Sequence, residues 1–173
     1  MKQQRWRTFT GKMLAPFLGL LLLMQGCGLY SFTGASTGGL KSIAIPTFEN
    51  QTAEFGLAET ISDDLIDRFN QDGSLKVRDA RTADSILYGT IARITDQPAA
   101  FTAEGNVEQY KVTIAVHLRF EDRVKGKIVW EDTISQFGLY PFSGGSTADR
   151  EQGLTDAMDK LVDDILSKTV SGW

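Results

Sequence analysis

The chain has 173 residues, a single cysteine, a single histidine and a formal net charge of -4 from 18 basic and 22 acidic side chains. That length supplies one domain of ordinary size once a leader is set aside; one cysteine leaves no internal disulfide, and one histidine leaves a metal site short of ligands. With a modest negative charge and no long like-charged block, electrostatics alone suggests neither nucleic acid nor a polybasic membrane surface.

In chain order, Lys2, Arg5, Arg7 and Lys12 form a positive start, and an apolar run from Met13 to Met24 follows, with Gly26 just before Cys27. This is the layout of a secretory signal peptide. The run is shorter than the roughly 20 residues of a membrane-spanning helix, and Pro16 and Gly19 weaken it as a helix. Residues 1–26 are therefore expected to be cleaved. The stretch 27–39, small, polar and glycine-rich apart from Leu29, Tyr30 and Phe32, reads as a tether. Residues 40–173 read as a single folded domain.

Within that domain, "LKSIAIPTFEN" predicts a strand through Ile43 and Ile45, ended by Pro46 and Asn50. Leu57, Ile61, Leu65 and Phe69 recur at four-residue steps beside Ala58 and Ile66, which predicts an amphipathic helix stopped at Asp72-Gly73. "SLKVRDA" predicts a short strand. "SILYGTIARIT" predicts a longer, central one, with Ile86, Tyr88 and Ile94 on one face, Leu87 and Ile91 on the other, and Gly89 marking a bulge or a close backbone approach. "QPAAFTAEGNVE" reads as a loop.

"YKVTIAVHLRFE" has the clearest alternation in the chain. Tyr110, Val112, Ile114, Val116, Leu118 and Phe120 share one face; Lys111, Thr113, His117, Arg119 and Glu121 share the other. "DRVKGK" reads as a hairpin turn around Gly126 and "IVWEDTISQFGLY" as the returning strand. After a loop at "PFSGGSTAD", Leu154, Ala157, Met158, Leu161, Val162, Ile165 and Leu166 form the stripe of a last helix, with Ser146 or Thr147 as its N-cap. Two one-faced helices and one-faced strands imply an α+β fold: a two-layer sandwich of two helices on a mainly antiparallel four- to five-stranded sheet.

The inventory for catalysis is thin. His117 is suited to a general base or a ligand, but its place on a polar strand face beside Arg119 fits a surface or interface histidine better. Asp63, Asp64, Asp163 and Asp164 fall on solvated helix faces, and "TGASTGG" and "FSGGST" lack the Gly-Lys-Ser/Thr ending of a phosphate loop. No catalytic residue, metal or cofactor is expected. An exported hydrolase is the weakest alternative, to be tested at His117.

Met24-Gln25-Gly26-Cys27 resembles the lipobox of bacterial lipoproteins, although Met24 and Gln25 depart from the commonest residues there. The resemblance implies a diacylglycerol on the Cys27 thiol, cleavage before it, and an N-acyl lipid on the new terminus, so that the protein is anchored to the membrane rather than spanning it. Pairing of an odd cysteine with another molecule is the alternative. Gly28 stands where an Asp would, in many enterobacterial-type lipoproteins, retain the protein in the inner membrane, and its presence favours the outer membrane, periplasmic side.

The succession "CGLYSFTGAS", "IAIPTFEN", "LAETISDDLIDRF", "ADSILYGTI", "YKVTIAVHLRFED" and "GKIVWEDTISQFGLY" resembles the LptE family of lipopolysaccharide-assembly lipoproteins, in its branch outside the enterobacteria. That resemblance implies a small α/β sandwich that plugs and helps assemble a large outer-membrane β-barrel, LptD, and contacts lipopolysaccharide, without catalysis. Phosphates attract Arg and Lys. The tightest basic cluster is Arg123, Lys125 and Lys127 at the hairpin tip, which with Arg119 makes the candidate contact set for lipopolysaccharide or the barrel. A tip charged merely for solubility is the alternative. "IAIPTFEN" followed by a helix and a strand also resembles the amino-terminal domain of TolB or the CsgG secretion lipoprotein, which implies protein binding or oligomerisation in secretion. "SFTGAS" after the cysteine and the lack of a membrane-inserting amphipathic hairpin favour LptE.

Overall fold

The structure is a computed structural model that describes residues 38–142 and 147–171. The signal, the lipobox cysteine, most of the tether and Ser146 lie outside the described residues. In chain order the elements are β1 (Ser42–Ala44), β2 (Glu49–Asn50), α1 (Leu57–Asp72), β3 (Lys76–Val77), β4 (Ser85–Phe101), β5 (Val107–Asp122), β6 (Lys127–Pro141) and α2 (Thr147–Ser171). The expected sandwich of two helices on one sheet is what forms.

The sheet has six strands in the order β3-β1-β4-β5-β6, with β2 also on β4. It is mixed rather than purely antiparallel. β1 runs parallel to both β3 and β4, and β2 parallel to β4, whereas β4, β5 and β6 are antiparallel. The parallel part follows from connectivity: α1 carries the chain back across the sheet, so β3 starts at the same end as β1.

Both helices bury the stripes that their periodicity predicts. Leu57, Ala58, Ile61, Leu65 and Phe69 of α1 and Ala157, Leu161, Val162 and Ile165 of α2 form the core with Leu87, Ile91 and the even-numbered face of β5. Each fully buried Leu, Ile or Phe contributes about 1.5–3 kcal/mol of apolar burial. Gly73 ends α1 in the left-handed region at φ 73°, its N–H donating to the Phe69 carbonyl at 3.0 Å. Ser62, buried in the same helix, donates to Ala58 O at 2.7 Å and accepts the Phe48 N–H at 2.9 Å, which ties the chain between β1 and β2 to α1.

Two features of β4 differ from the local reading. A bulge between Ile91 and Arg93 shifts the side-chain parity, so Ile94 pairs with Ile114 and joins the core side instead of sharing a face with Ile86 and Tyr88. The expected loop after Thr95 is largely strand: β4 runs on to Phe101 and β5 begins at Val107, joined by a short turn with Gly105 at φ 87°. Pro98 is tolerated because β2 pairs with β4 only as far as Ile91, leaving the far half of β4 as an edge.

Gly89 makes the expected close approach. A Cβ there would lie 2.4 Å from the Phe48 ring, which closes over the strand at this point. At Gly138 a Cβ would lie 1.9 Å from the Gly153 carbonyl oxygen, so β6 and α2 touch backbone to backbone through a pair of glycines.

Candidate binding surface

The strand alternation of β5 separates two environments. Val112, Ile114, Val116, Leu118 and Phe120 are fully buried under the helices, whereas Lys111, Thr113, His117 and Arg119 point to the other side. Among the described residues no helix or strand packs on that other side. The register extends the open face across Tyr88, Thr90, Thr95 and Gln97 of β4 and Glu131, Thr133, Ser135, Phe137 and Leu139 of β6.

A groove of about 560 Å³ crosses this face, lined by Thr47, Glu49, Tyr88, His117, Arg119 and Glu131 among others. It lies where the outer ladder of β4 is interrupted, because β1 pairs only to Ile86 and β2 begins at Thr90. His117 Nε2 is 3.0 Å from Glu131 Oε1, and its Nδ1 is 3.4 Å from the Thr133 hydroxyl. Arg119 donates from Nε to Glu121 Oε1 at 3.0 Å while its guanidinium sits 5.1 Å from the Tyr88 ring centroid. His117 is thus a half-exposed surface residue between an acidic partner and a threonine hydroxyl. Among the described residues no group of three or more His, Cys, Asp or Glu is placed to hold a metal ion.

Arg123 and Lys125 of the basic tip have separate local partners. Arg123 donates to the Ala80 carbonyl, and Lys125 lies 3.7 Å from the buried Asp122 carboxylate and 3.4 Å from the Gly38 carbonyl. Lys127 is exposed. Arg119 stands apart from these three, on the open face. Arg123, Lys125 and Lys127 belong to the end of the sheet where residue 38 enters.

Sequence reading missed Phe101, Phe137 and Leu139 among the apolar residues of the opposite end. Phe101, Phe137, Leu139 and Phe142 are each 43–59% exposed. Phe137 and Leu139 share the parity of Thr133 and Ser135 in β6, and that alternation was the available signal. Lys111 and Lys160 lie 5.4 and 5.5 Å from the Phe137 ring centroid, one from the open face and one from α2. Tyr140 is not a free aromatic. It stacks on Tyr110 at 5.7 Å, and its hydroxyl donates to Asp96 at 2.7 Å. Burial and the Asp96 carboxylate push its phenol up to about 12. Arg150 of α2 binds the same Asp96 and also Glu54, at 3.1 and 2.6 Å, locking the loop before α1 to β4 and α2.

Asp84 and Asp132 are among the carboxylates held below their ordinary range. Asp84 accepts the Lys41 N–H at 3.0 Å, the chief cause of its lowering. Asp132 accepts from the Lys168 ammonium on α2, which lowers it first, and from the Thr133 N–H. Both tie the sheet to its neighbours by charge-assisted hydrogen bonds.

The described residues form an α+β sandwich of two helices on one face of a mixed sheet, with a mostly polar opposite face across β4, β5 and β6. The model of the LptE family, described as lipopolysaccharide-assembly, matches residues 40–169, and the chain belongs to that family. No match to a curated protein sequence is found. Among solved structures, a hypothetical protein of Chlamydia trachomatis is similar at TM-score 0.58 and 10% identity, covering 78% of this chain and 99% of that one. Uncharacterized lipoprotein B of Nitrosomonas europaea is similar at TM-score 0.57 and 17% identity, covering 76% and 83%. The PelC dodecamer of Paraburkholderia phytofirmans is similar at 0.53 and 18%, covering 76% and 89%. At these identities the likeness is one of fold. Among the described residues no helix is long and apolar enough to cross a membrane.

Proposed function

We propose that this lipopolysaccharide-assembly protein is an outer-membrane lipoprotein that plugs an LptD-like β-barrel and aids lipopolysaccharide insertion into the outer leaflet. In this reading residues 1–26 are the signal peptide, Cys27 carries diacylglycerol and an N-acyl lipid, and residues 27–39 tether the domain on the periplasmic side. The observation that carries it is the open face of β4, β5 and β6. Barrel lumens are polar, and this face offers Lys111, Thr113, His117, Arg119 and Glu131 on a rigid sheet. Family membership supports the reading. Arg119, with Arg123, Lys125 and Lys127, remains the candidate set for lipopolysaccharide phosphates or acidic barrel loops.

The test is a pull-down of the tagged, lipidated chain from native outer membranes in mild detergent, followed by mass spectrometry. A large β-barrel in equal amount, together with lipopolysaccharide, is the expected outcome. Recovery of homo-oligomers or periplasmic proteins without a barrel would favour a second reading, a secretion or partner-binding domain. That second reading draws on the fold shared with the PelC dodecamer.

A further inference from the structure

We infer that the end of the domain carrying the β5–β6 turn is a peripheral membrane-contact surface, which rests on the anionic phospholipid headgroups of the leaflet that holds the anchor. The inference depends on the reading of Cys27 as a lipid anchor. Sheet register gathers its residues. Lys76 pairs with Ser42, Ser85 with Asp122, and Asp122 with Lys127, so Lys41, Lys76, Arg123, Lys125 and Lys127 project from one edge of the fold, and all five are exposed.

The nearby carboxylates offset this charge only in part. Asp122 is buried, accepting the Lys125 N–H at 2.8 Å and lying 3.7 Å from the Lys125 ammonium, and Asp84, which accepts the Lys41 N–H, keeps its charge. Asp79 is paired with Arg81 at 3.1 Å, and Asp72 accepts the Ser74 N–H. The turn itself alternates cationic and apolar residues: Val124 is 72% and Ile128 49% exposed between Arg123, Lys125 and Lys127. Apolar side chains interleaved with cations suit the boundary between headgroups and acyl chains, where each group meets its own solvent.

Chain continuity limits how far this end can stand from an anchor on Cys27. Lys125 Nζ reaches the carbonyl of Gly38, the first described residue. The stretch 27–38 can span at most about 40 Å. An anchor on Cys27 therefore holds this edge at high effective concentration over its own leaflet. Weak individual attractions suffice under those conditions. Contact would fix the tilt of the domain on the membrane.

The test uses the lipidated chain in vesicles, with Gln71→Cys carrying a fluorophore at the same end of the fold and an acceptor on the lipid headgroups. Cys27 is the chain's own single cysteine and is blocked by lipid, so labelling is specific. Vesicles of phosphatidylcholine alone are compared with vesicles containing about a third phosphatidylglycerol, and flotation records anchoring separately. Energy transfer is expected to rise with phosphatidylglycerol and to fall with added salt. Each cation contributes about fivefold to the contact equilibrium, so Arg123→Gln, Lys125→Gln and Lys127→Gln together should lower it on the order of a hundredfold while flotation persists. The lipid and salt comparisons on the otherwise unaltered chain keep the result decisive if the triple variant folds poorly. Equal transfer in both vesicles with normal flotation would overturn the inference while sparing the anchor. A rise seen only when lipopolysaccharide is supplied would overturn it in favour of that lipid. Failure to float would remove the anchor reading, and this inference with it.

Discussion

The two faces of the β4–β5–β6 sheet are made by the same strands and follow opposite rules. Under the helices, β5 presents five fully buried apolar side chains in succession, and β6 comes close enough to α2 for two glycines to touch. On the other side, one residue away at every step, Arg119, His117 and Lys111 are half-buried or exposed, with their polar groups met by local partners or by aromatic rings. One face carries the core, and the other is the face that the proposed barrel contact would use. Substitutions on the two sides should therefore separate folding from function.

The largest break in that comparison is expected from Phe120→Ala. The ring is fully buried and packs on Trp130 at 5.9 Å between centroids, so its loss should cost about 3–5 kcal/mol, read as a lower midpoint in urea unfolding. Gly138→Ala should follow at about 1–3 kcal/mol, because the new methyl meets the Gly153 backbone rather than a side chain that can swing away. Wild-type stability in that variant would show that α2 shifts freely, contrary to the contact described.

Lys111→Gln with Arg119→Gln should change stability by no more than about 0.5 kcal/mol per site. The same double variant should reduce recovery of the barrel in the pull-down. Reduced stability with normal recovery would reverse the roles of the two faces.

The smallest effect is electrostatic. Asp84 is held below its ordinary value, so its contribution to stability is present at neutral pH, above the unfolded value, and is lost as pH falls through the lower folded value. The stability gap between the native chain and Asp84→Asn should close on acidification below the ordinary carboxylate range. Asp64 works in the opposite sense. Burial, followed by repulsion from Asp159, raises it, so ionised Asp64 costs stability at neutral pH and protonation removes that cost; Asp64→Asn should be the more stable form at neutral pH, with its advantage closing as pH falls through the raised and then the ordinary carboxylate value.

The helices and the strand β5 were legible residue by residue. Their stripes are local patterns, and Leu57 to Phe69, Ala157 to Ile165 and Val112 to Phe120 are all buried as their spacing requires. The polar face of β5, with His117 and Arg119, was legible for the same reason. The tip cations were recognisable as a group, but their separate partners, Ala80, Asp122 and Gly38, lie far away in the chain and left no local trace.

The sequence by itself determined which side chains share a face wherever the alternation is unbroken, because that depends only on the geometry of a single helix or strand. Tertiary structure alone decided the rest. The bulge at Ala92 moved Ile94 to the core side, β5 and β6 registered Phe137 and Leu139 onto the open face, and Gly38 came to lie beside Lys125. Each of these is a pairing between distant segments, fixed by hydrogen-bond ladders and packing that no local window contains.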